Sequence, residues 1–214
     1  MNMGRTIIAF CGLCSLAAVA ERPPVKCMEN SPERRGEEGH SILAVKPLIA
    51  STKKPTYWHI DRYDSLEAAT RAAGPNSVPA EAHGSAWLMT VEPRTEEHRG
   101  GRHVAWIGPL ALPVAAGYTM RVQSSLLRPG TTTPVHTHSG PEVFYVVAGE
   151  QCLETPEIGL HLNAGDSRVL PTGVVHRGRV SGSGVRGVLA LILHDAAHAA
   201  SHDLGDPPPL VACK

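Results

Sequence analysis

Residues 130–176, GTTTPVHTHSGPEVFYVVAGEQCLETPEIGLHLNAGDSRVLPTGVVH, decide the fold. Successive residues of a strand point to opposite faces, so the imidazoles of His136 and His138 leave the same face side by side. The Gly140-Pro141 turn lets the next strand begin near Glu142, and EVFYVVAGEQCLE (142–154) is expected to fold as a hairpin around Gly149-Glu150. A third imidazole, His176, arrives from a separate strand after the turn Pro171-Thr172-Gly173. Four N/O ligands held on rigid sheet are what a divalent transition metal needs.

The stretch resembles the cupin family. That family's first motif is a glycine, five residues, His-x-His, three or four residues, Glu, six residues and a glycine; Gly130, His136, His138, Glu142 and Gly149 match it. Its second is a glycine, five residues, Pro-x-Gly, two residues, His and, three residues on, Asn. Gly165, Pro171, Gly173 and His176 match, and Val180 stands in the last position. Glu150 to Ala164 separate the motifs, a short spacing similar to that of small microbial cupins.

The resemblance implies a mainly β fold, a cupin jelly-roll (double-stranded β-helix) barrel, here with a small α+β N-terminal extension. It also implies one divalent transition metal (Fe, Mn, Ni, Co, Cu or Zn) on His136, His138, Glu142 and His176, a small-molecule ligand or substrate, and a homodimer built sheet to sheet. Dioxygenase, isomerase, decarboxylase and hydrolase activities all occur on this fold, which does not choose among them.

The rest of the chain is read outward from the barrel, expected over residues 117–195. Tyr118–Leu127 alternates as a strand, Ser181–Gly184 reads as a hairpin tip, and Val185–His194 is the most apolar strand and should be core. In 196–214 we expect a tail whose His198 and His202 are exposed. Residues 55–116 read as an α+β extension: a strand at Tyr57–Ile60, a helix from Leu66 to Ala73 with Asp64 capping and Glu67 reaching back, and strands at Val78–Val91 and His103–Gly108. This part contains no second His-x-His and Glu set, so one site is expected, with His83, His98 and His103 as surface or hydrogen-bonded residues.

Residues 21–54 are polar and proline-punctuated, a linker that becomes ordered near Ser41, with His40 exposed. Residues 1–20 carry Arg5, an apolar run Thr6–Leu16 and Ala18-Val19-Ala20, the pattern of a cleaved signal peptide. A secreted or periplasmic protein is expected, with no membrane attachment after cleavage. Cys27, Cys152 and Cys213 would then remain, and Cys152 with Cys213 is the favoured disulfide; the other reading leaves Cys152 as a small buried apolar residue.

The 214 residues carry 20 Lys plus Arg against 20 Asp plus Glu, so no basic field recruits nucleic acid. Tyr145, Gln151 and Glu154 are candidate pocket residues, although strand parity turns Tyr145 away from Glu142 and Phe144. The expected function is that of an exported metal-binding cupin domain protein, a metal-dependent enzyme of dioxygenase, isomerase or hydrolase type. The alternatives are a non-catalytic small-molecule or sugar-binding module, and a structural barrel with an empty site.

Overall fold

The computed structural model describes residues 27–28, 39–49, 55–94 and 99–214, which form fifteen strands and one short helix. The proposed signal segment and His98 lie outside the described residues.

The central layer is a six-stranded sheet. Its order is β1 (Cys27–Met28), β2 (Gly39–Leu48), β7 (Tyr118–Leu127), β14 (Arg186–Asp195), β9 (Glu142–Ala148) and β12 (Ser167–Leu170). On one face lies a three-stranded sheet of β11 (Gly159–Asn163), β10 (Glu150–Glu154) and β13 (Arg177–Val180), extended by the pair β8 (His136–His138) and β15 (Ser201–Asp203). On the other lies a four-stranded sheet of β4 (Ser77–Ala82), β5 (Ser85–Pro93), β3 (Thr56–Tyr63) and β6 (Arg102–Ile107). Mostly antiparallel strands in facing sheets are the expected jelly roll.

Strand β14 shows why the layers stack. Leu189, Leu191 and Leu193 pack with Trp58, Ile60 and Met89 of the four-stranded sheet. Val188 and Ala190, on the opposite face, pack with Leu153 and Leu162 of the three-stranded sheet. A strand covered on both sides reads as a continuous apolar run, which is how VRGVLALILH reads. The same parity sends Val143 and Tyr145 of β9 to the first core and Phe144 and Val146 to the second.

Several local expectations need correction. Residues 142–154 are not a hairpin: β9 pairs with β14 and β12, whereas β10 pairs with β11 and β13. The chain crosses between sheets at Gly149, whose φ is 71° and where a Cβ would meet the Val185 carbonyl oxygen at 2.5 Å. A left-handed backbone pressed against another strand requires glycine there. Ser181–Gly184 is likewise a crossing, since it joins β13 of one sheet to β14 of another. A glycine between two alternating runs looks the same in a hairpin and in a crossing; long-range pairing decides between them.

The stretch read as linker supplies β2, because its apolar run can pair with β7 over most of its length. The tail forms β15, which pairs with β8. In the helix α1 (Leu66–Ala72) the cap is Ser65, not Asp64. Ser65 is extended, and its Oγ accepts from the Ala68 N–H at 3.1 Å, while Glu67 pairs with Arg71. His83 and Gly84 both have positive φ and form the tight turn between β4 and β5.

Because Leu191 is fully buried between two layers, Leu191→Ala should cost about 2–5 kcal/mol. Val45→Ala, at a position 57% exposed, should change stability by less than about 0.5 kcal/mol. Denaturant unfolding of the two variants checks both.

Candidate metal centre

Backbone pairing brings the four sequence-selected residues together. The main chains of His136 and His176 exchange N–H···O bonds, both 3.0 Å long, and Gly173 N–H donates to the His138 carbonyl at 3.0 Å. The Pro171-Thr172-Gly173 turn is thereby stitched onto the His-Thr-His strand. Glu142 starts β9 opposite Ile192 of β14, facing inward. One ligand atom from each of His136, His138, Glu142 and His176 lies within 4.8 Å of all the others.

Each ring is aimed by a backbone acceptor. Nδ1–H of His136 donates to the Pro134 carbonyl (2.8 Å), that of His138 to Ala200 (2.7 Å) and that of His176 to Val174 (3.0 Å). A carbonyl only accepts, so Nδ1 carries the proton, and in a neutral ring Nε2 turns a lone pair toward the centre.

Nε2 of His138 and Nε2 of His176 each lie 2.9 Å from Glu142 Oε2, yet these three buried atoms have no partner in hydrogen-bond geometry. Lone pairs facing a carboxylate oxygen at that distance repel unless a cation lies between them. Burial alone would raise the Glu142 pKa, but His138 and His176 outweigh it and hold the carboxyl well below its usual range. Burial would lower the His138 pKa, but Glu142 reverses this and raises it. His136 is pushed down to about 4, first by burial and then by neighbouring His176. A proton shared with one ring satisfies this set only in part. The donor set fits a divalent ion, which would engage all four groups.

The cluster opens into a cavity of about 530 Å³. Gln151 lines it, as expected, whereas Glu154 is buried elsewhere against Arg177 (2.6 Å) and Arg179 (2.9 Å). Tyr145 faces the other core. His83 bonds the Val188 carbonyl and His103 bonds Asp61, both at 3.2 Å. His198 is exposed 3.1 Å from Asp195 and His202 is exposed on β15, as expected of both. Cys152 and Cys213 form a disulfide with Cα atoms 5.9 Å apart.

His40 and Arg186 are among the cavity residues that escaped the sequence reading. His40 is half-buried on β2 and lines the cavity; it is not solvent-exposed, because the supposed linker is a barrel strand. Arg186 shares the inward face of β14 with Val188, Ala190 and Ile192. A charge in phase with inward apolar residues of the most buried strand was the available signal.

Burial pushes His40 down to about 4 and also lowers His83. Between about pH 6.5 and about 4 the unfolded chain therefore takes up a proton that folded His40 refuses, with His83 acting in the same direction, and stability falls with pH through that window. Melting of metal-free protein from pH 8 to 4 should show this loss. His40→Gln should melt with a shallower dependence than wild type.

Residues 124–192 match the family model described as "Cupin domain". Solved structures similar to this chain include a cupin-like protein from Thermotoga maritima (21% identity, TM-score 0.37, covering 40% of this chain and 65% of that one). Others are an oxalate oxidase in complex with the substrate analogue glycolate (19%, 0.35, 41% and 46%) and a DMSP lyase from Ruegeria pomeroyi (21%, 0.35, 39% and 42%). The chain spans less than two-thirds of the length of each of these three. No curated protein matches the chain. Residues 124–192, which carry the whole four-residue cluster, are thus similar to a cupin domain.

Proposed function

We propose that this protein is an exported, metal-dependent cupin enzyme that acts on a small molecule, with His136, His138, Glu142 and His176 as the metal ligands. The observation that carries this reading is the trio of orphaned buried atoms, His138 Nε2, His176 Nε2 and Glu142 Oε2, converging beside a cavity of small-molecule size. A divalent ion there would supply Lewis acidity toward an oxygen ligand or a water.

The chain's own groups do the rest. Carbonyls of Pro134, Val174 and Ala200 hold the three rings in one tautomer. Glu142 contributes the single carboxylate of the cluster, and Phe144, Val188, Ala190 and Ile192 give the cavity an apolar wall that limits access of water to the centre. Within this reading the barrel proper occupies 117–195 and takes the strand β2 from the segment 21–54, the extension occupies 55–116, the signal 1–20 and the tail 196–214. The Cys152–Cys213 bond supports export, since such bonds persist in oxidising compartments.

Elemental analysis of protein purified without chelator tests the reading. About one equivalent of a transition metal is expected in wild type, falling below about a tenth in a His136→Ala/His176→Ala double variant. No metal after reconstitution with each divalent ion would overturn it. Metal with saturable ligand binding but no turnover would leave a binding module.

A further inference from the structure

We infer that the cavity takes a small carboxylic acid, its carboxylate held by the Arg186 guanidinium and its other end turned toward the four-residue cluster. This deepens the metal-dependent reading above and rests on it. Arg186 is 2% exposed, and it makes no ion pair among the described residues. Its Nη1 donates to Gln151 Oε1 and its Nη2 to Ser125 Oγ at 2.6 Å, while Nε has no partner. Both acceptors are neutral, so they orient the guanidinium without balancing its charge. A guanidinium offers five N–H donors and these bonds occupy two. A buried charge held in a fixed fork with donors to spare is built for a planar anion, and a carboxylate matches that fork.

The surroundings agree. Gln151 is itself fully buried with its Nε2 unpartnered, a second donor beside the first. Arg121 also lines the cavity; among the described lining residues the acids are Glu142 and Asp203, and Asp203 is exposed at the rim. With a divalent ion on the cluster the interior would be net positive, which favours an anion. The cluster and the guanidinium line the same cavity. The wall formed by Val188, Ala190 and Ile192 along the strand between them is apolar. The matching ligand has a carboxylate at one end, a short apolar body and an oxygen function at the other.

The probes are propionate, succinate and benzoate, each paired with its amide, titrated by calorimetry into metal-loaded and metal-free protein, wild type and Arg186→Gln. The acids should bind metal-loaded wild type at least about 10-fold more tightly than the amides. They should bind Arg186→Gln about 10- to 100-fold more weakly, with metal content unchanged at one equivalent. Unaltered acid affinity in Arg186→Gln would overturn the proposal, because the carboxylate would then sit on the metal. Amides binding as well as acids, or no acid binding at all, would overturn it too. If Arg186→Gln does not fold, the acid–amide comparison in wild type and the partial affinity expected of Arg186→Lys decide the matter. If wild type holds no metal, the preceding reading fails by itself. Arg186-dependent acid binding to metal-free protein then still supports the carboxylate site, and its absence overturns it.

Discussion

Everything in this molecule depends on the double burial of strand β14. An apolar layer covers each of its faces, and only a strand whose alternate residues satisfy two different environments can sit there. Odd positions from Leu189 to Leu193 belong to the core shared with the four-stranded sheet. Even positions from Arg186 to Ile192 form the inner wall of the cavity. A slip of one residue would exchange these faces, sending leucines into the cavity and the guanidinium into an all-hydrocarbon core. The placement of a charge inside the cavity is therefore tied to the same register that holds the layers together.

The four-residue cluster was legible in the sequence because its geometry is local. His-x-His on one strand fixes one face, the Gly-Pro turn fixes the approach of Glu142, and Pro-x-Gly fixes that of His176. What the sequence hid depends on long-range pairing. Glycine at 149 reads as a hairpin tip, yet the chain changes sheet there, because β9 takes its partners from β12 and β14 while β10 pairs with β11 and β13. His40 was misjudged for the same reason: a polar, proline-rich neighbourhood masked a strand whose partner is β7. Glu154 looked like a cavity residue from its closeness to the motif, but two arginines on β13 claim it. Ser65 took the cap from Asp64 through its backbone angles, which the order of residue types alone does not report.

The site also shows a division of labour between main chain and side chain. Rigid carbonyls orient all three imidazoles, so no second carboxylate is needed to hold them, and Glu142 alone sets the negative charge at the centre. Protonation of a ring and occupation by a cation are then competing answers to one electrostatic problem. The raised pKa of His138 beside the lowered pKa of Glu142 expresses that competition.

Among the three ring-holding carbonyls, Ala200 stands apart. Pro134 and Val174 are two residues from the histidines they hold, whereas Ala200 comes from the segment after the barrel. That segment is fastened by β15 against β8, by the Leu204 N–H to the Val135 carbonyl and, further on, by the bond from Cys213 to Cys152. The aim of the His138 ring therefore depends on a segment that lies outside the barrel and crosses its rim. A change in how that segment is fastened would reach the cluster through residue 200 without touching any of its four residues.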